Sequence, residues 1–141
     1  MIDNVQYHSA SHCKYLTQYH VVWCTKYRYR VLVGEVKNNL KDILMNICKE
    51  HDYIVKALEV MPEHIHIFVD CKQTVAPCDI ARILKSKSAI EMFKSNSKLK
   101  DFYARCSSLW SDGYFISTVG KVSETTIKTY IDEQNLKKWV F

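Results

Sequence analysis

A chain of 141 residues that is 48% hydrophobic, 12% aromatic and 25% charged, with three Gly and two Pro, cannot be collagen-like, low-complexity or wholly disordered. Its length suits one domain, 1–141, that buries roughly 68% of the unfolded surface, and is short for two. Twenty Lys and Arg against fifteen Asp and Glu give +5, and a pI near 8.8 suits phosphate-bearing partners without singling one out. No apolar run reaches the roughly 18 residues of a membrane span, and residues 1–10 lack the pattern of a secretory signal, so a cytoplasmic location is expected. The six cysteines (Cys13, Cys24, Cys48, Cys71, Cys78, Cys106) form no C-x-x-C pair and several lie in apolar runs, as reduced, structural thiols do.

In chain order, residues 17–24 (TQYHVVWC) are β-branched and aromatic, the composition of a strand buried on much of both faces. Over 35–50, Leu40, Ile43, Leu44, Ile47 and Cys48 recur at three- and four-residue steps and predict an amphipathic helix. Residues 53–61 and 64–71 are strand-like runs separated by Pro62 and Glu63, which predicts a hairpin. Pro77 opens a second helix whose apolar positions are Ile80, Ile83, Leu84, Ile90 and Phe93. The stretch 95–109 is polar, basic and without clear periodicity. Residues 114–119 (YFISTV) predict a fourth strand, and Ser123 a cap for a last helix over about 123–138, with Lys137 and Lys138 near its end. The order β-α-β-β-α-β-α contains the split β-α-β, ferredoxin/RRM-like arrangement: an α+β sandwich with a four-stranded antiparallel sheet, two helices on one face and the other face open. The last helix stands outside that scheme.

Along 61–70 (MPEHIHIFVD), alternation sends Ile65, Ile67 and Val69 one way and His64, His66 and Phe68 the other. Two imidazoles on neighbouring same-face positions can reach one metal ion, and a strand holds them rigidly. The alternative is a pair of partly buried histidines, each with a hydrogen-bond partner. In the last helix, Ile127, Tyr130, Ile131 and Gln134 share a stripe. If that stripe faces the sheet, the Gln134 amide needs a partner, since burying it without one costs about 1–3 kcal/mol. A cation beside His64 and His66 would accept its carbonyl oxygen. Read separately, Tyr130 is a core-edge tyrosine and Gln134 an exposed helix residue.

Read together, they complete a reaction. A phenol with a pKa of about 10 is a weak nucleophile at neutral pH, and a phosphate polarised by a divalent cation is a better electrophile. Attack of the phenol on a DNA phosphodiester expels the 3′ hydroxyl and leaves a 5′ phosphotyrosine, which conserves the bond for rejoining. Asp132 and Glu133 project from other parts of the helix circumference, and no general base is assigned.

The segments HVVWCTKYRYRVL (20–32), MPEHIHIFVD (61–70), ARILKSKSAIEMF (81–93), WSDGYFISTVG (110–120) and TYIDEQ (129–134) together resemble the single-tyrosine transposases of the HUH superfamily carried by IS200/IS605 insertion sequences. The resemblance covers nearly the whole chain. It implies His64 and His66 as metal ligands, Gln134 as the third ligand, Tyr130 as the nucleophile, and Mg²⁺ or Mn²⁺ as the cofactor. It also implies a homodimer, with the tyrosine helix docked in cis or in trans, and single-stranded DNA with hairpins at element ends as substrate. Such a protein would join the nucleoid when bound to DNA. Relatives often carry Gly after the first Lys of Lys85-Ser86-Lys87-Ser88; the chemical groups here are intact.

Two basic groups, Lys26, Arg28 and Arg30, and Arg82, Lys85 and Lys87, are the candidate DNA contacts, each of which could equally be a solvated surface charge. Tyr27 and Tyr29 are placed to stack on unpaired bases. Three other readings stay open: a domesticated relative acting on chromosomal hairpin repeats, a non-catalytic single-stranded nucleic-acid-binding module, and a zinc hydrolase using water as the nucleophile.

Overall fold

The β-branched and aromatic run at the start of the chain becomes the second strand from one edge of the main sheet, where both of its neighbours are hydrogen-bonded. The structure, a computed structural model, describes residues 7–118 and 128–133. Its elements are β1 (His8–Ala10), β2 (Cys13–Tyr15), β3 (Thr17–Cys24), a 3₁₀ turn (Lys26–Arg28), α1 (Gly34–Glu50), β4 (Ile54–Val60), β5 (His64–Cys71), α2 (Pro77–Ser95), α3 (Ser97–Phe102) and β6 (Phe115–Ser117). Residues 128–133 are helical.

The sheet runs β4-β5-β3-β6 with every pair antiparallel. This is the four-stranded antiparallel sheet of the expected α+β fold. Pro62 and Glu63 form the predicted turn, closed by Met61 N donating to His64 O at 2.9 Å. Alternation divides the side chains of β3 and β5. Val21, Trp23, Ile65, Ile67 and Val69 are fully buried against Leu40 and Leu44 of α1 and Ile80 and Leu84 of α2. The complementary side chains face the opposite side of the sheet, where the candidate site lies.

Four sequence expectations change. Residues 8–15 form an unpredicted hairpin of two three-residue strands, paired only with each other. It carries no apolar alternation; its tie to the sheet is polar, His8 Nε2 lying 2.8 Å from an Asp70 oxygen whose partner oxygen accepts from Gln18 at 3.0 Å. Within 95–109 a short helix forms, α3, which buries Leu99 and hands on to Tyr103. The fourth strand is shorter than predicted, 115–117. Ile90, predicted as a core position, is 55% exposed, while Ser88 and Met92 take the inner face of α2. Ser88 is satisfied there, lying 3.0 Å from Trp110 Nε1, whose ring meets Trp23 edge-on.

Of the predicted last helix, 123–127 with the Ser123 cap, and 134–138 with Gln134, Lys137 and Lys138, lie outside the described residues. All six cysteines are free, and burial pushes the Cys24, Cys48 and Cys71 thiols up to about 12, so these three are inert, as expected of structural cysteines. Among the described residues no helix is long and apolar enough to cross a membrane.

Candidate active site

On the face of the sheet away from α1 and α2, β5 presents His64, His66 and Phe68, and β3 presents His20, Val22 and Cys24 opposite them. The register pairs Cys24 with His64, Val22 with His66 and His20 with Phe68. The His64–His66 spacing therefore puts both imidazoles on one face, held by the hydrogen-bonded core of the sheet.

Each has a partner. His66 Nε2 lies 2.8 Å from His20 Nδ1, and the His20 ring stacks on Phe68 with centroids 4.0 Å apart. Burial leads in holding the His66 pKa below its ordinary 6.5; His20 adds to the effect, Glu59 opposes it, and His64 contributes in the same direction as His20. His66 is therefore neutral at physiological pH, the form that binds a cation. His64 Nδ1 lies 2.8 Å from Glu63 Oε1, and the other oxygen of Glu63 lies 2.8 Å from Arg30. This leaves Nε2 as the remaining ring nitrogen of His64. Two same-face imidazoles, one of them kept neutral, are a donor set suited to a divalent cation. Among the described residues no third His, Cys, Asp or Glu joins them in a metal-holding cluster, and the expected third ligand, Gln134, lies outside the described residues.

Tyr130 sits on the same side of the sheet. The helical segment 128–133 buries Tyr130 and Ile131 against Val22 and Cys24 of β3, and Phe115 of β6 packs beside them. Val22 and Cys24 are the residues paired in register with His66 and His64, so the tyrosine segment covers the strand adjacent to the histidine pair. The Tyr130 hydroxyl is buried and has no hydrogen-bond partner among the described residues. Burial, followed by the neighbouring Cys24, raises its pKa well above that of a free phenol, so in this position the oxygen is protonated and shielded.

Arg28 fastens this segment. Its guanidinium donates to the Ile131 carbonyl at 3.2 Å and stands 3.7 Å from the Asp132 carboxylate. Tyr27 and Arg28 hold left-handed backbone, with φ of 60° and 57°, a conformation costing about 1–2 kcal/mol for each non-glycine residue. The loop is tied on both sides: Thr25 Oγ1 donates to Tyr29 O at 2.7 Å, Lys26 N to Leu109 O at 2.7 Å, and the Tyr103 hydroxyl to Lys26 O at 3.1 Å. Arg28→Ala is expected to speed amide exchange in residues 128–133 in hydrogen-exchange mass spectrometry, with global stability falling by no more than about 1.5 kcal/mol because the pair is partly solvated.

The other candidate DNA contacts divide. Lys26 lies on the loop beside the site, and Arg30 is exposed but paired with Glu63. Arg82 and Lys87 belong to α2, behind the sheet, where Arg82 pairs with Asp79 and Lys87 meets His51 at 3.0 Å. The Lys85 ammonium donates to the carbonyls of Ser111 and Gly113 at 2.8 and 2.7 Å, and burial lowers its pKa. It fastens the 111–113 loop to α2. Tyr29 is 46% exposed and meets the exposed Phe102 edge-on.

His20 and Glu63, which contact His66 and His64, are residues of the candidate site that the sequence did not single out. The signal for His20 was its same-face parity with Val22 and Cys24; for Glu63 it was adjacency to His64 at a tight turn.

The four-stranded antiparallel sheet thus carries an imidazole pair on one face, with the segment bearing Tyr130 packed over the adjoining strand. The chain belongs to the IS200-like transposase family: the family model described as "Transposase IS200 like" matches residues 13–134. Its class is thus that of DNA-cleaving and strand-transferring enzymes of insertion sequences. It is 39% identical over 124 residues to the ISDra2 transposase TnpA of Deinococcus radiodurans, covering 88% of each chain. To the transposase of insertion sequence element IS200 from Salmonella typhimurium it is 29% identical over 126 residues, or 89% of this chain and 82% of that one. Among solved structures, a crystal structure from Deinococcus radiodurans R1, described as a candidate transposase, superposes with a TM-score of 0.83 at 35% identity, over 89% of this chain and 96% of that one. A REP-associated tyrosine transposase bound to a REP hairpin shares the fold, with a TM-score of 0.54 at 12% identity, over 89% of this chain and 68% of that one.

Proposed function

We propose that this chain cuts and rejoins single-stranded DNA at the ends of an insertion sequence through a 5′ phosphotyrosine on Tyr130, with Mg²⁺ or Mn²⁺ held by His64, His66 and Gln134. The observation that carries the reading is the shared sheet face: the imidazole pair on β5 and, over the adjoining strand, the segment bearing Tyr130. The cation, when bound, supplies polarisation of the scissile phosphate and charge neutralisation on its oxygens.

The chain's residues do the rest. From a rigid strand His64 offers Nε2, and His66 offers the ring nitrogen not engaged with His20. Tyr130 Oη forms the new bond to phosphorus as the bond from phosphorus to the 3′ oxygen breaks, and the proton lost from the phenol balances the one gained by the 3′ hydroxyl. Rejoining is the reverse, with a 3′ hydroxyl expelling the phenol. The elevated Tyr130 pKa means that the phenol must leave its apolar surroundings to react, since the buried oxygen is protonated.

Hairpin DNA is the proposed ligand, Lys26, Arg28 and Arg30 the proposed phosphate contacts near the site, and a homodimer the proposed assembly. Identity of 39% to an insertion-sequence transposase favours a mobile-element role over action on host repeats. The test is incubation with labelled single-stranded hairpin DNA and Mg²⁺ or Mn²⁺, followed by denaturing electrophoresis. A denaturation-resistant protein–DNA adduct is expected. Tight binding with no adduct under either cation would overturn the reading in favour of a silent binding module.

A further inference from the structure

The β4–β5 turn places a carboxylate against the first histidine of the pair. Glu63 Oε1 lies 2.8 Å from His64 Nδ1 and Oε2 lies 2.8 Å from Arg30. Ionised carboxylates only accept, so Nδ1 is the donor and carries the ring proton. The Glu63 and His64 side chains are only 14% and 13% exposed, which restricts competition from water. The backbone holds the arrangement as well: the Glu63 carbonyl accepts from Thr25 N at 2.9 Å and from Thr25 Oγ1 at 3.3 Å, and Pro62 O accepts from Leu32 N at 3.0 Å.

We propose that Glu63 is a positioning residue for His64: by accepting a hydrogen bond from Nδ1–H it orients the ring and reserves Nε2 for the cation, while Arg30 steadies the carboxylate from outside. The inference rests on the reading of His64 as a metal ligand. A ring whose second nitrogen is hydrogen-bonded to a carboxylate is fixed in tautomer and is a more basic ligand, and loss of such a partner typically costs about 10- to 100-fold in metal affinity.

The test titrates Mn²⁺ into the full chain, following free Mn²⁺ by electron paramagnetic resonance, and records ¹⁵N spectra of the His64 ring in the metal-free protein. Glu63→Ala is expected to weaken Mn²⁺ binding about 10- to 100-fold and to move the ring proton off Nδ1. Glu63→Gln, whose amide oxygen still accepts from Nδ1, is expected to keep the proton there and lose only about three- to tenfold. It preserves the turn's shape, so a folding defect in Glu63→Ala leaves this comparison standing. If His64→Ala abolishes Mn²⁺ binding while both Glu63 variants bind as wild type, the pair is only an ion pair of the turn and the inference falls alone. If His64→Ala itself binds Mn²⁺ as wild type does, the metal-site reading falls and takes the inference with it.

Discussion

Tyr130→Phe is expected to bind hairpin DNA with unchanged affinity and to lower adduct formation by about three orders of magnitude or more, to the limit of detection. The substitution removes one oxygen and leaves the ring, so the packing against Val22, Cys24 and Phe115 persists. The deleted oxygen is also buried and unpartnered among the described residues. Its removal relieves a desolvation penalty, and the melting temperature should hold or rise slightly. Loss of chemistry without loss of stability is the signature of a nucleophile, read by denaturing gels alongside thermal unfolding. Cleavage that survives in Tyr130→Phe would assign the attack to water.

Leu84→Ala is expected to remove about 2–5 kcal/mol of stability. Leu84 has no exposed surface and lies on the inner face of α2, in the core with Val21, Ile65 and Ile67 of the sheet. Truncation forfeits the transfer free energy of the side chain and leaves a void bounded by a helix and a sheet, both too regular to collapse into it. Against a typical total of about 5–15 kcal/mol, this moves the denaturant midpoint far more than any surface change. A loss below about 1 kcal/mol would show that α2 does not close the core as described. Because the histidines lie on the opposite face, residual Mn²⁺ binding by the folded fraction should match wild type.

Where the sequence was readable, burial was the reason. β3, β5, α1 and α2 each present a face to one continuous core, so their apolar periods of two and of three to four survive in the primary structure. Pro62 and Glu63 marked the turn between the two hairpin strands by chemistry alone. His64 and His66 could be placed on one face by counting, whereas the stripe placed Tyr130 only at a core edge and the family resemblance supplied its expected role.

The unreadable parts are held by single polar contacts between distant residues. The β1–β2 hairpin depends on His8 finding Asp70 across 62 positions. Lys85 resembled any surface lysine until its ammonium met the carbonyls of a loop 26 and 28 residues away. Arg28 and Arg30 read as a basic cluster, yet one reaches the tyrosine segment and the other Glu63. Charge composition does not distinguish a cation aimed at solvent from one aimed at the protein's own backbone. Ile90 was misplaced because the buried stripe of α2 includes a serine, which is acceptable there only because Trp110 partners it.

The three-residue connection from Met61 to Glu63 sets which face of the sheet carries the two histidines. Strand parity is binary, so an insertion or deletion between 61 and 64 that slipped β5 by one residue against β4 would invert β5 as a whole. The imidazoles would then be driven into the hydrocarbon interior and three isoleucine and valine side chains out beneath the tyrosine. Such a slip would take the histidine pair off the face that the Tyr130 segment covers without altering a single functional group.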